Sequence, residues 1–207
     1  PNGIDAQQYQ DLPPPGSFAR RLGLEGKILI TYLGRLNARK GLDYLAQAFQ
    51  RVAQKRNDVA LVVAGPDDGY RRALELLVRR LGVGDATVLP GLLTGRDRLG
   101  AFVDSRVIVY PTSYEPFGLV PFEALLCGTP VIVADGSGCG GLLRDAKAGF
   151  IVPYGDVEAL DAALAHVLDD GESVAETVRN GRRFVLEELG WPRIADQVVD
   201  LYRRAGS

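Results

Sequence analysis

The sequence predicts an α/β fold, a doubly wound parallel sheet of about six strands with helices on both faces and further helices at the C-terminus. Three observations carry this. Short runs nearly continuous in Val, Ile and Leu recur as far as residue 153, as strands covered on both faces should read. Segments of helical period separate them, joined by short connections. The last fifty or so residues then lose the strand signal and read as helix throughout.

In chain order the strands are KILITYLG (27–34), VALVVAG (59–65), TVLPG (87–91), RVIVYPT (106–112), PVIVAD (130–135) and GFIVP (149–153). PPPG at 13–16 reads as a linker or turn before the first strand. Leu42, Leu45, Phe49 and Val52 form an apolar stripe at spacings of three and four, so a helix follows Gly41. Residues 70–81 and 96–103 supply two more. A short helix is expected over 121–127, with Pro121 at its first position and Gly128 as its C-terminal cap. Three consecutive helices, 156–169, 172–188 and 192–204, close the chain. No internal repeat or low-complexity tract interrupts the pattern.

At 207 residues and 46% apolar composition the chain can bury a full core. A net charge of −2 gives no reason to expect nucleic acid as a partner. No apolar run reaches membrane-spanning length and no signal peptide opens the sequence, which sets the expectation of a soluble cytoplasmic protein. The chain has no methionine and begins PNGID, so it is expected to be a piece of a longer polypeptide. Cys127 and Cys139 show neither metal spacing nor a disulfide framework, and Cys127 reads as a small core residue. His166, the single histidine, falls on the polar side of its helix. A Ser–His–Asp triad, a Cys–His pair and a multi-histidine metal site are therefore not expected.

In an open parallel sheet, ligands bind beyond the carboxyl ends of the strands. After the first strand comes GRLNARKG (34–41), where Arg35 and Lys40 flank a loop that leads into a helix. Two cations and a helix N-terminus suit a phosphate or diphosphate. The P-loop pattern is absent, and taken alone both cations read as solvated loop residues.

After the fourth strand comes EPFGLVPFE (115–123). Pro116 and Gly118 exclude a helix there, so Glu115 sits on a loop, while Glu123 falls in the first turn of the following helix. Two readings of Glu123 stand at this point. It complements the helix dipole and caps a free amide, or it accepts hydrogen bonds from vicinal hydroxyls beside a diphosphate docked on the amides of Gly118, Leu119 and Val120.

After the fifth strand, Gly136, Gly138 and Gly141 match G-x-G-x-x-G, with Asp156 further along. That fingerprint belongs to a first strand–helix turn, so the dinucleotide reading is set aside. The loop reads instead as a close approach of backbone to ligand, or as a plain turn.

Together and in this order, PNGID, GRLNARKG, VVAGPDDG, YPTSYEPFGLVPFEALLCGTPVIVAD, GFIVPYGDVEAL and LGWPRIADQVVDLY resemble the C-terminal half of a retaining glycosyltransferase of the GT-B fold, family 4 (glycosyl transferases group 1). The resemblance covers almost the whole chain. The E-x7-E arrangement is its most specific part, and GR-x4-KG supports it.

It implies the donor-binding domain of a hexosyltransferase, which moves a sugar from a nucleotide-diphosphate sugar to a glycan, lipid or small-molecule acceptor. On this pattern Arg35 and Lys40 contact the donor diphosphate, and Gly118, Leu119 and Val120 offer amides to phosphates and sugar. Glu123 holds the ribose hydroxyls. Glu115 contacts the transferred sugar near the reacting carbon, in a positioning and electrostatic role. Main chain around Leu89, Pro90 and Leu92 lines the base, and Gly65 and Phe117 complete the substrate-binding set.

The resemblance implies no metal and no cofactor beyond the donor substrate. Its implied partners are the donor and an N-terminal domain that carries the acceptor site; neither nucleic acid nor a transmembrane segment is implied. Peripheral association of the whole enzyme with the inner face of the membrane fits it. Residues 1–26 correspond to the segment leading into the second domain, 27–190 to the Rossmann-like domain, and 191–207 to a helix that packs toward the N-terminal domain. Gly141 departs from the pattern, since many relatives carry glutamate there. A starch or glycogen synthase-like domain, a nucleotide-sugar epimerase and a non-catalytic nucleotide-sugar-binding module stay open as alternatives.

Overall fold

The computed structural model describes residues 2–112 and 115–205. Six parallel strands form one sheet: β1 (Ile28–Leu33), β2 (Val59–Ala64), β3 (Thr87–Gly91), β4 (Ser105–Tyr110), β5 (Val131–Ala134) and β6 (Phe150–Val152), in the order β3-β2-β1-β4-β5-β6. All six expected strands form. The helices are α1 (Ser17–Arg21), α2 (Leu42–Lys55), α3 (Arg71–Arg80), α4 (Gly95–Asp104), α5 (Val120–Leu126), α6 (Gly138–Asp145), α7 (Val157–Asp169), α8 (Glu172–Glu188) and α9 (Trp191–Ala205).

β1 lies between β2 and β4, and its side chains alternate between two cores. Ile30 and Tyr32 enter a layer with Leu45 and Phe49 of α2, Leu74 of α3 and Leu164 of α7. Leu29 and Leu33 enter the opposite layer with Phe18, Phe102, Phe122, Leu143, Val185 and Ile194. Phe49, Phe102 and Phe122 are fully buried, and each contributes roughly 1.5–3 kcal/mol by leaving water. Burial on both faces explains why these strands read as continuous apolar runs.

Two helices were not legible beforehand. Ser17–Arg21 follows the PPPG turn and is held from a distance: Asp104, at the end of α4, accepts the amides of Gly16 (2.6 Å), Phe18 (2.8 Å) and Ala19 (2.8 Å). The glycine-rich stretch also proves helical from Gly138, capped by Ser137, whose Oγ accepts the Gly140 amide at 3.2 Å. Three glycines in its first turn hid this helix, because glycine is a poor helix former.

His166 is exposed and hydrogen-bonds Ser173 at 3.0 Å. Burial pushes the Cys127 thiol up to about 12, which fits a packing role better than a reactive one. Among the described residues no helix is long and apolar enough to cross a membrane.

Candidate active site

The strand order reverses between β1 and β4, and the loops that leave these two strands frame a crevice at their carboxyl ends. Asn37 opens the β1 loop by accepting the Arg39 amide at 3.0 Å, capping a 3-10 turn at Ala38–Lys40. Gly41 ends that turn at φ +66°, where a Cβ would stand 2.0 Å from the Pro111 carbonyl oxygen. Only glycine lets the two loops come this close. Tyr44 of α2 donates to the same carbonyl at 3.0 Å and fixes the contact.

The consequence is an ion pair across the crevice. Lys40 is 9% exposed, and its Nζ stands 2.8 Å from Glu115 Oε2. Tyr110 donates to that same oxygen at 3.2 Å. The solvated-loop reading thus holds for one cation and fails for the other. Arg35 keeps 67% of its side chain exposed and reaches Asp68 at 3.4 Å. Lys40 is turned inward because Gly41 folds its loop onto the β4 loop, a contact that spans 75 positions of sequence.

Of the first reading of Glu123, its place in the first turn of α5 holds and the cap does not. No side chain caps α5 at Leu119. The Glu123 side chain is 9% exposed and its carboxylate is engaged elsewhere: Oε1 accepts the Tyr9 hydroxyl at 2.8 Å, and Oε2 receives the Arg98 guanidinium of α4. Burial, with the Glu123 charge beside it, raises the Tyr9 phenol well above its ordinary value, so it remains a donor. Burial works against the Arg98 charge, but its bonds to Glu123 and Tyr9 more than offset this and hold it raised.

Between the two carboxylates, Phe117 stacks on Phe122 with centroids 5.2 Å apart. Among the described residues the amides of Gly118, Leu119 and Val120 make no hydrogen bond to protein. The glycine-rich stretch that reads as a loop is the start of α6, and it docks on this segment. The Gly138 amide donates to the Glu115 carbonyl at 2.8 Å, and a Cβ on Gly138 would stand 1.8 Å from the Pro116 carbonyl oxygen. Gly141 faces open space. Asp156 caps α7 by accepting the Ala159 amide at 2.9 Å, which leaves it no part in a dinucleotide fingerprint.

At the carboxyl end of the edge strand β3, Leu92 is 65% exposed, two residues beyond Pro90. The Leu89 carbonyl accepts from Arg71 at 3.1 Å, and the Gly65 amide donates to the Gly91 carbonyl at 2.8 Å. The structure thus brings Lys40, Glu115 and Phe117–Val120 to one place and leaves Arg35 at its rim. Sequence reasoning missed Tyr9, Arg98, Tyr110 and Arg71. Tyr9 and Arg98 sit far from Glu123 in sequence and Arg71 lies on a helix face that reads as solvated, whereas Tyr110, five positions before Glu115, reads as one more apolar residue of its strand. Among the described residues no group of three or more His, Cys, Asp or Glu is placed to hold a metal ion.

The chain is 32% identical over 190 residues to an uncharacterised glycosyltransferase of Methanocaldococcus jannaschii, covering 91% of this chain and 48% of that one. Its fold superposes on sucrose-phosphate synthase from Thermosynechococcus elongatus with a TM-score of 0.81 at 30% identity, covering 100% of this chain and 52% of that one. It superposes likewise on an Anabaena protein crystallised with UDP and glucose, with a TM-score of 0.85 at 23% identity over 98% of this chain and 55% of that one. The chain spans about half the length of the curated relatives it matches. Residues 17–184 match the family model of glycosyl transferases group 1. With its six-stranded Rossmann-like sheet and paired loops at the switch point, the chain belongs to the glycosyl transferases group 1 family.

Proposed function

We propose that this chain is the donor-binding half of a retaining glycosyltransferase that transfers a hexose from a nucleotide-diphosphate sugar to an acceptor. The observation that carries the reading is the Lys40–Glu115 pair, which places a buried cation and a carboxylate together at the switch point of the sheet. A sugar diphosphate presents the complementary groups, hydroxyls at one end and a dianion beside them. The Anabaena protein of like fold, crystallised with UDP and glucose, supports the donor class.

In the reaction, the bond between the anomeric carbon and the diphosphate oxygen breaks, and a bond to the acceptor oxygen forms on the same face. The acceptor proton passes to the leaving phosphate. Lys40, with Arg35 swinging in from the rim, stabilises the negative charge that develops on that phosphate. The amides of Gly118, Leu119 and Val120 add donors that need no reorganisation. Glu115 accepts from sugar hydroxyls, and Lys40 and Tyr110 already hold its carboxylate in place. Glu115 therefore positions the sugar and favours positive charge at the reacting carbon without attacking it. Glu123 accepts from the ribose, and main chain from Leu89 to Leu92 borders the base, with Gly65 beside it. No metal or further cofactor takes part in this scheme.

The acceptor site belongs to an N-terminal domain that precedes residues 1–26, the segment leading into residues 27–190. On this reading α9, on which Val198, Leu201 and Tyr202 are exposed, packs toward that domain. The whole enzyme works in the cytoplasm, at the inner face of the membrane when its acceptor is a lipid.

Calorimetric titration of the chain with UDP, GDP and ADP tests the reading. One of them is expected to bind with micromolar to low-millimolar affinity, and failure of all three at millimolar concentration would overturn it. The chain alone is expected to bind donor without transferring its sugar, so robust transfer would refute the assignment of the acceptor site elsewhere.

A further inference from the structure

Glu123 carries out its assigned task from an enclosed position, with its carboxylate held by two side chains that neither E-x7-E nor GR-x4-KG includes. Tyr9 reaches it from a 3-10 turn at Ala6–Tyr9, 114 positions away in sequence. Arg98 reaches it from the first turns of α4, only a few residues beyond the base-side segment that ends at Leu92. We infer that Arg98 and Tyr9 are positioning residues for nucleotide recognition: they hold the Glu123 carboxylate in one orientation, so that its remaining acceptor positions meet the ribose hydroxyls. This rests on the donor-binding reading above and deepens it.

The chemistry is that of a shared acceptor. An ionised carboxylate offers about four lone-pair positions. Tyr9 takes one on Oε1 and Arg98 one on Oε2, which leaves about one on each oxygen for a vicinal diol. Two donors on separate oxygens also fix the plane of the group. A ligand then meets an acceptor pair that is already oriented and does not lose affinity to ordering it. Arg98 supplies the countercharge a carboxylate needs at this depth, and its guanidinium is itself steadied over the Phe102 ring at 5.3 Å. Tyr9 is 8% exposed and is held as a neutral donor by its surroundings.

A purely structural tie between the first residues, α4 and α5 would predict something different. Its loss would lower stability and weaken every ligand alike. A positioning role predicts that loss falls on the ribose hydroxyls.

The experiment compares calorimetric affinities of UDP and 2′-deoxy-UDP, or of the GDP or ADP pair if that base binds, for the chain and for Arg98→Gln, Arg98→Lys, Tyr9→Phe and Glu123→Ala. The unaltered chain is expected to prefer the ribonucleotide by roughly tenfold or more, the size of one hydrogen bond to a charged acceptor. Arg98→Gln should bring that preference to near unity while changing affinity for the deoxynucleotide less than about twofold, Tyr9→Phe should reduce it in part, and Arg98→Lys should restore part of it. Tyr9→Phe removes one hydroxyl and leaves the packing ring, so it reports even where Arg98→Gln fails to fold.

If Glu123→Ala abolishes the preference while Arg98→Gln and Tyr9→Phe leave it intact, or weaken both nucleotides equally, the inference fails and the ribose assignment stands. If the unaltered chain shows no preference, or Glu123→Ala does not alter it, the ribose assignment fails as well.

Discussion

Lys40 and Glu115 meet with Nζ 2.8 Å from Oε2 although 75 positions separate them. They come from the two loops that flank the reversal of strand order, so their contact spans the crevice in which open α/β sheets bind ligands. Neither charge is free to be elsewhere: Lys40 is enclosed by the folded-over β1 loop, and Glu115 is held in addition by the Tyr110 hydroxyl.

Lys40→Met should therefore act on two levels. It leaves the Glu115 carboxylate without its cation, at a cost of roughly 1–3 kcal/mol, visible as a lower midpoint in denaturant. On the proposed reading it also removes a positive charge from beside the leaving phosphate, which should lower turnover of the complete enzyme by about 10²–10³-fold. Unchanged turnover in a folded variant would remove Lys40 from the reacting centre.

The two carboxylates of E-x7-E should separate experimentally. Glu123→Ala is expected to weaken the bare nucleoside diphosphate about tenfold or more. Glu115→Ala should spare it and weaken only the sugar-bearing donor. Titration of each variant with both ligands decides the matter, and equal losses from both would contradict the division of labour.

Gly138 and Gly141 lie in one helix and should respond with opposite signs. A Cβ at Gly138 would stand 1.8 Å from the Pro116 carbonyl oxygen and must push the Glu115–Gly118 loop aside. Gly138→Ala is thus expected to cost roughly 1–3 kcal/mol and to weaken donor binding with it. Gly141 meets nothing within 4 Å, so Gly141→Ala should stabilise the chain by about 0.5–1 kcal/mol through helix propensity. Chemical denaturation of the pair measures both.

At alkaline pH the buried phenols should govern stability. Burial is the main cause that raises Tyr32, Tyr44 and Tyr110 above their ordinary value. The folded chain then keeps these protons at a pH where the unfolded chain has released them. Their contribution is complete below the ordinary phenol value of about 10 and is lost as pH rises beyond it. Ultraviolet titration should show phenolate appearing together with unfolding above about pH 10, and independent titration of these three rings in a folded chain would contradict the burial.

Much of the architecture was legible because it depends on local pattern. Burial on both faces makes a strand read as an unbroken apolar run, and period makes α2 readable from Leu42, Leu45, Phe49 and Val52 alone. α1 and α6 were hidden for opposite reasons. α1 is a five-residue helix held by a carboxylate on α4, and α6 begins in glycines whose use is close packing against the Pro116 carbonyl.

At the candidate site the sequence by itself determined which chemistry could assemble. It set two cations after the first strand, two acids around a helix start after the fourth, and prolines and glycines that put one acid on a loop and the other on a helix. Only the tertiary structure decided how these groups are shared. It buried Lys40 against Glu115 while leaving Arg35 in solvent, and it gave Glu123 to Tyr9 and Arg98 when its position in the first turn suggested a cap. The physical reason is that charge pairing in a protein follows distance in space and loss of water, whereas sequence pattern reports only the period of burial along each element.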